Sequence, residues 1–382
     1  MIKARYRFDL DPNADPEPEP PYIVVANHGN FFDPWILGPY FKKALHIMMN
    51  DDGFRAGAIS RWYLHGIGAF AKKKGAHDLK AMKSTLKFLR DEEPVLIFPE
   101  GQATWDGETQ PIYGGIERMV KRAKCPLAIV RFRGNFLSRP WWAETDRKGR
   151  VAIERTVVPA ERIAELEDAE VLELVKRGIY TSDILDERNR AVDFTGNRMA
   201  EGIERLAWSC MCCDATDAIS TSGDTITCDH CNNTWTVDAH CRLRADSNGI
   251  PSFDDLHAWF QDHKRLAREA IAAAGADTEL ASDNAVTLQR MNDRGRFAVD
   301  SVGALSLTRS ELTYVPERGG LATLTFPVEQ LTNYVIQKKD IFEITADGAD
   351  YRFEMRGRSP MKWLVYVRYL RGFEAAESRG VI

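Results

Sequence analysis

Residues 23–33 read Ile23-Val24-Val25-Ala26-Asn27-His28-Gly29-Asn30-Phe31-Phe32-Asp33. The uninterrupted apolar run Ile23 to Ala26 has the pattern of a short buried strand, and it delivers Asn27 and His28 to the strand's end. Asp33 follows five residues after His28 and is itself followed by Pro34. An imidazole and a carboxylate therefore share one tight turn. Such a pair is the minimum for general-base catalysis: histidine titrates near neutrality, and a carboxylate fixes its tautomer and stabilises the imidazolium. No serine or cysteine lies in this stretch to act as nucleophile, so the pattern points to a hydroxyl brought by the substrate. The same spacing also suits a turn in which Asp33 caps a helix beginning at Pro34 and His28 merely packs.

A second stretch weights the choice. Val95-Leu96-Ile97-Phe98-Pro99-Glu100-Gly101-Gln102-Ala103-Thr104 is again an apolar strand running into a turn. Asn27-His28-Gly29-Asn30-Phe31-Phe32-Asp33 together with Phe98-Pro99-Glu100-Gly101 strongly resembles the glycerol-phosphate and lysophosphatidate acyltransferase family, over about residues 20 to 205. Gly68-Ala69-Phe70-Ala71-Lys72-Lys73 approximates that family's second block and Pro126-Leu127-Ala128-Ile129-Val130 its fourth. The resemblance implies a general base at His28 oriented by Asp33, with substrate contacts from Asn27, Phe98, Pro99, Glu100 and Gly101. Backbone N–H groups around Gly29 or Gly101 are the expected oxyanion donors, and Lys72, Lys73 or Lys74 the expected phosphate partners. Two departures stand out: Ala103 occupies the place of the family's phosphate-binding arginine, and Lys73 replaces another. Lysine lacks the bidentate fork of arginine, so an acceptor other than lysophosphatidate is an open alternative.

The 382 residues are 44% hydrophobic and 28% charged, a globular composition long enough for two or three domains. The net charge of -5 argues against a general nucleic-acid binder. No stretch approaches the roughly 20 apolar residues of a membrane span, and Met1 to Pro21 has no signal-peptide pattern. The expectation is a cytoplasmic protein, peripheral to the inner face of the membrane if its substrate is a lipid. Around the two motifs the pattern reads as a mostly parallel sheet flanked by helices, with loops at the strand C-termini forming the site. Asp78 to Asp91 reads as an amphipathic helix with Leu79, Met82, Leu86 and Leu89 inward, and 188–207 as helical. Trp141-Trp142 suits either a lipid-facing anchor or a packed corner.

Six of the seven cysteines fall between Cys210 and Cys241. Cys210, Cys213, Cys228 and Cys231 give Cys-x2-Cys-x14-Cys-x2-Cys, two knuckles whose thiolates can surround one Zn2+. The set resembles a zinc ribbon, with Cys212, His230 and Cys241 as possible substitutes. Four thiolates leave no open coordination position, so the reading is structural and not catalytic.

Beyond it, Phe253 to Ala274 reads as a helix with Ser252 as N-cap. About seven short strands with turn residues between them follow, then a helix from Ser359 to Glu374. That order resembles the pleckstrin-homology-like superfold, a mainly-β barrel with a terminal helix. Lys338, Lys339, Arg352, Arg356 and Arg358 form either a basic face or a solvated surface.

The expected organisation is an acyltransferase domain (1–207), a zinc ribbon (208–245), a linker helix (246–280) and the pleckstrin-homology-like β domain (281–382). The resemblance implies a 1-acylglycerol-3-phosphate O-acyltransferase-like enzyme. It would take an acyl group from acyl-CoA or acyl carrier protein to a hydroxyl of lysophosphatidate or a related lysolipid. A catalytically silent membrane-recruited scaffold and an acyl-thioester hydrolase are the alternatives.

Overall fold

A computed structural model describes residues 7–55, 57–72, 79–292, 295–318 and 322–381. Two compact units divide the chain: Met1–Trp141 with Asp146–Gly196 and Ala376–Ile382, and Trp142–Thr145 with Asn197–Ala375.

In the first unit, seven strands among the described residues form one sheet: β1 (Arg7–Leu10), β2 (Ile23–Ala26), β3 (His46–Asn50), β4 (Phe70–Lys72), β5 (Val95–Ile97), β6 (Leu127–Arg133) and β7 (Arg150–Val158). Their order is β1-β7-β6-β2-β5-β3-β4, and every pairing is parallel except β6 with β7. The mostly parallel sheet is as expected; the return strand β7, whose buried positions Val151 and Ile153 alternate with half-buried ones, was not.

Both sheet faces are covered, which is why the strands read as continuous apolar runs. Ile23, Val25, Val95, Ile97, Leu127 and Ile129 pack on one side with Leu89, Val120, Val171 and Val175 from three helices. Tyr22, Val24, Ala26, Leu96, Ala128 and Val130 pack on the other with Ile36, Leu37 and Leu64. The helix Leu79–Arg90 buries Ala81, Thr85 and Leu89; Met82 and Leu86 are only half-buried, so the buried stripe is rotated from the expected one. Residues 188–207 hold only the short helix Glu187–Arg190 and the 3-10 turn Ile203–Arg205, not a long helix.

In the second unit the two Cys-x2-Cys knuckles are built alike. Cys210 N donates to Ala215 O and Asp214 N to Cys210 O; Cys228 N donates to Asn233 O and Asn232 N to Cys228 O. Asp214 and Asn232 both take positive φ, 55° and 58°, to close their turns. A four-stranded antiparallel sheet of β8 (Ile219–Ser222), β9 (Thr225–Cys228), β10 (Thr234–Val237) and β11 (Leu243–Ala245) carries the second knuckle.

The helix that follows runs Leu256–Ala273 and is capped by the Asp255 side chain, which accepts from Ala258 N at 2.8 Å; the expected cap, Ser252, lies three residues short. On this helix His263 is fully buried. Its Nε2 accepts from Trp208 N and Ser209 N, both at 3.0 Å, and its Nδ1 donates to Trp259 O at 2.7 Å. That geometry requires neutral imidazole, and burial pushes the group down to about 4.

The last sheet, antiparallel throughout, runs β15-β14-β13-β12-β18-β17-β16. Its members are β12 (Ala281–Met291), β13 (Phe297–Leu307), β14 (Glu311–Pro316), β15 (Leu324–Pro327), β16 (Asn333–Gln337), β17 (Ile341–Ala346) and β18 (Ala349–Glu354). Among the described residues β15 and β16 stand at opposite edges, so hydrogen bonds do not close the expected barrel. The helix Pro360–Leu370 buries Trp363, stacked on Phe342 at 6.4 Å, and also Lys362. Lys362 Nζ lies 2.5 Å from Asp217 and 3.1 Å from Asp283, so the buried cation is neutralised by the cysteine segment and the sheet together. Of the five basic residues named above, Arg352 pairs with Glu343, Arg356 with Glu354 and Lys339 with Glu144, and Arg358 donates to Asp217 O.

His263 sets a pH dependence. Its native pKa is lowered, so its contribution to stability is present above the unfolded value of 6.5 and is lost as pH falls towards 4. The loss is about 3 kcal/mol. Urea denaturation at pH 7 and pH 5 is expected to show about 2 kcal/mol of this loss, the rest falling below pH 5, and His263→Gln to flatten it.

Candidate functional site

The central strands β6, β2 and β5 are adjacent and parallel, so their C-terminal ends lie on one edge. Each hands a polar segment to that edge: Gly134-Asn135 after β6, Asn27-His28 after β2, and Phe98-Pro99-Glu100-Gly101 after β5.

Asn27 is buried, at 3% exposure. Its Nδ2 donates to Phe132 O at 3.1 Å, and its Oδ1 accepts from Phe132 N at 2.7 Å. The amide thus continues the β2–β6 ladder in side-chain form. Both its groups bond to main chain, so it positions the turn.

His28 is held at three levels. Its main-chain N donates to Glu100 Oε1 at 2.6 Å, and its carbonyl accepts from Thr104 N at 2.9 Å. Its ring stacks on Phe98, centroids 4.5 Å apart. Its Nδ1 lies 2.8 Å from Asp33 Oδ2. The side chain of His28 is 19% exposed and that of Asp33 is fully buried, so the imidazole reaches the surface while its partner does not.

Four donors surround the Asp33 carboxylate. Oδ2 also accepts from Gly29 N at 2.8 Å and Asn30 N at 3.1 Å, and Oδ1 accepts from Asn135 Nδ2 at 2.7 Å. With main-chain N–H groups filling Oδ2, the carboxylate is an acceptor towards His28. The proton therefore sits on Nδ1, and Nε2 carries the free lone pair. This is the tautomer of a general base. The capping reading of the turn does not hold: the helix Asp33–Leu37 starts at Asp33 itself, its N-cap is Phe32 with no side-chain cap, and the Asp33 carboxylate turns back to Gly29, Asn30 and His28.

Glu100 is buried at 1% exposure. Its second oxygen accepts from Gln110 N at 2.7 Å. Burial pushes its carboxyl up to about 8, against the pull of the two main-chain donors from Gln110 and His28. It clamps the two loops together through both of its oxygens. Gly101 has φ +72, and a Cβ there would meet Tyr113 Cε2 at 2.5 Å. Pro99 O accepts from Tyr113 N at 2.9 Å. Lys72 Nζ lies 5.1 Å over the same Tyr113 ring, which places this lysine beside the Pro99–Gly101 turn. Lys73 and Lys74 lie outside the described residues. The two expected oxyanion donors are occupied: Gly29 N by Asp33 and Gly101 N by Phe98 O.

Sequence reading missed Asn135. Its signal was its place: a polar residue just past a parallel strand, level with the other two motifs. Trp142 is fully buried and Trp141 half-buried, which fits a packed corner.

In the second unit the ligand atoms of Cys210, Cys213, Cys228 and Cys231 all lie within 4.8 Å of one another. Cys210 and Cys231 are 3.8 Å apart, as are Cys213 and Cys228. A tetrahedron with metal–sulfur bonds of about 2.3 Å has edges of about 3.8 Å, so the four thiols have the spacing to hold a metal. Cys212 is exposed and accepts from Asn233 Nδ2; Cys241 is buried and stands apart from the four.

Residues 11–133 match the family model described as Acyltransferase. Among solved structures, the 1-acyl-sn-glycerophosphate (LPA) acyltransferase PlsC from Thermotoga maritima is 20% identical, over 45% of this chain and 70% of that one, with a TM-score of 0.38. The Vps36 N-terminal PH domain is 14% identical over 26% of this chain and 82% of that one, TM-score 0.20. The N-terminal PH domain of human ARAP2 is 10% identical over 27% and 88%, TM-score 0.21.

Glu100→Gln is expected to lower stability by about 2 kcal/mol, because an amide offers one acceptor to two buried N–H groups. Gly101→Ala costs about 1–2 kcal/mol in backbone strain alone, plus the Tyr113 overlap. Chemical denaturation of both variants checks these values.

Proposed function

We propose, taking residues 11–133 as an acyltransferase domain, that the enzyme moves a fatty acyl group from acyl-CoA or acyl carrier protein to a hydroxyl of lysophosphatidate or a related lysolipid. The observation that carries the reading is the partly exposed His28 ring, with Nδ1 bound to a fully buried carboxylate. The acceptor hydroxyl gives its proton to His28 Nε2 as its oxygen attacks the thioester carbonyl. Asp33 stabilises the imidazolium so formed. The tetrahedral intermediate collapses, the carbon–sulfur bond breaks, and the thiolate leaves with the proton returned by His28. No proton is gained or lost overall.

Lys72 is the candidate partner for an acceptor phosphate, standing by the turn that Gly101 and Tyr113 form. With alanine at 103 in place of arginine, the site reads the headgroup by a point charge. The acceptor is a lipid in this reading, so the catalytic edge works against a membrane from its cytoplasmic side. Phe31 on the catalytic turn and Ile59, Trp62 and Tyr63 on the helix Ala58–Gly66 are large apolar side chains left exposed, which supports such a contact. Among the described residues no helix is long and apolar enough to cross a membrane.

The second unit carries no part of this chemistry. Cys210, Cys213, Cys228 and Cys231 would hold Zn2+ in a closed structural site. A small sheet with so little core draws folding free energy from such an ion.

The test of function is acyl transfer from palmitoyl-CoA to a panel of lysolipids, with acyl carrier protein donors alongside. Acceptor-dependent CoA release that His28→Ala lowers by at least ~100-fold is expected. Release without any acceptor identifies a thioester hydrolase instead. No release above the variant from either donor leaves a non-catalytic scaffold. For the metal, elemental analysis should find one zinc per chain, lost in Cys228→Ser and kept in Cys212→Ser. Stripping the zinc is expected to lower the melting temperature.

A further inference from the structure

We propose that Asn135 is a positioning residue for His28: it fixes the Asp33 carboxylate and, through it, the tautomer and direction of the imidazole. Its kinetic consequence rests on the acyl-transfer reading; its structural consequence does not.

The amide of Asn135 is fully buried and stands between two others in a directed chain. Phe32 N donates to Asn30 Oδ1 at 2.8 Å, Asn30 Nδ2 donates to Asn135 Oδ1 at 2.7 Å, and Asn135 Nδ2 donates to Asp33 Oδ1 at 2.7 Å. Each link fixes the next. A main-chain N–H cannot reverse, so Asn30 must present its oxygen to Phe32 and its nitrogen to Asn135. Asn135 must then present its nitrogen to Asp33. The carboxylate meets a donor on each oxygen and cannot rotate about its own axis without losing one.

The loop around Asn135 is clamped in its turn. Asp183, buried at 1% exposure, accepts from Gly134 N with one oxygen and from Phe136 N with the other, both at 2.8 Å. These are the two main-chain N–H groups flanking Asn135. Asn189 Nδ2 donates to Asp183 O at 2.9 Å and holds that residue's main chain. On the opposite side, a Cβ at position 29 would lie 2.7 Å from Asn135 Nδ2. Glycine next to His28 therefore lets the amide approach. Asn30, Asp33, Asn135, Asp183 and Asn189 are all buried, and the output of the arrangement is the geometry of one carboxylate.

The test combines kinetics with a signal independent of turnover, in full-length Asn135→Ala and Asn135→Asp. The aspartate variant is nearly isosteric and turns the donor into a second acceptor facing Asp33. Near-UV circular dichroism shows which variants fold, and Asn30→Ala perturbs the chain from its far end should Asn135→Ala not fold. With palmitoyl-CoA and the lysolipid that wild type accepts, kcat is expected to fall about 100-fold, the usual scale for a displaced catalytic group. KM for both substrates should stay within about three-fold of wild type. In [15N]histidine-labelled protein, His28 is expected to show a protonated Nδ1 and bare Nε2 in wild type, and a mixture of tautomers in the variants.

A single unchanged tautomer in the folded variants overturns the proposal, whatever the rates. If the tautomer is lost while wild type transfers no acyl group in a His28-dependent way, the acyl-transfer reading fails and the positioning role stands.

Discussion

A carboxylate with no solvent exposure must receive hydrogen bonds from the protein, and Asp33 receives four. Much of the site follows from that requirement. Two of the donors are main-chain N–H groups from the turn leading to Asp33, so satisfying the charge also folds the turn. A third is the imidazole, which must offer its Nδ1 proton. The fourth comes from another strand's loop. One desolvated charge thereby selects a loop conformation, a tautomer and a tertiary contact.

The contact is possible because three parallel strands end together. In a parallel sheet the segments leaving adjacent strands start at the same edge, and β6, β2 and β5 bring Asn135, His28 and Glu100 there. The register is secured by polar groups working as backbone: the Asn27 amide extends the ladder past the last strand residue, and Glu100 joins two loops through main-chain N–H groups. These buried groups are rigid because an unmet partner is costly. The exposed part is small by comparison: one imidazole edge, Phe31 and the apolar helix face nearby.

The second unit is built on a different balance. Its cysteine sheet is small and is held by four thiols at metal-ligand spacing, by His263 accepting two N–H groups, and by the buried Lys362 between Asp217 and Asp283. Such polar anchors favour one geometry over many even where their net stabilisation is modest. The long antiparallel sheet beside it has an ordinary aromatic core, with Phe342, Phe353 and Tyr314 fully buried.

Local pattern alone carried the apolar strands β2, β5 and β6, the two chemical turns, the match to an acyltransferase and the four-cysteine set, because each is written in contiguous residues with a fixed spacing. The amphipathic helix at 79–90 was legible too, though Ala81 and Thr85 are buried where Met82 and Leu86 were expected while Leu89 kept its place, since neighbours and not periodicity set the final rotation. What the chain could not disclose were the pairings across many residues: Asn135 on Asp33, Asn27 on Phe132, Glu100 on His28 and Gln110. Each looked like a candidate for contact with substrate or no candidate at all. Only the fold shows that Asn27 and Glu100 are occupied by main chain, and that an unremarked asparagine completes the His28 site. A side chain's role depends on which donors and acceptors remain free, and that count closes only when distant strands are side by side.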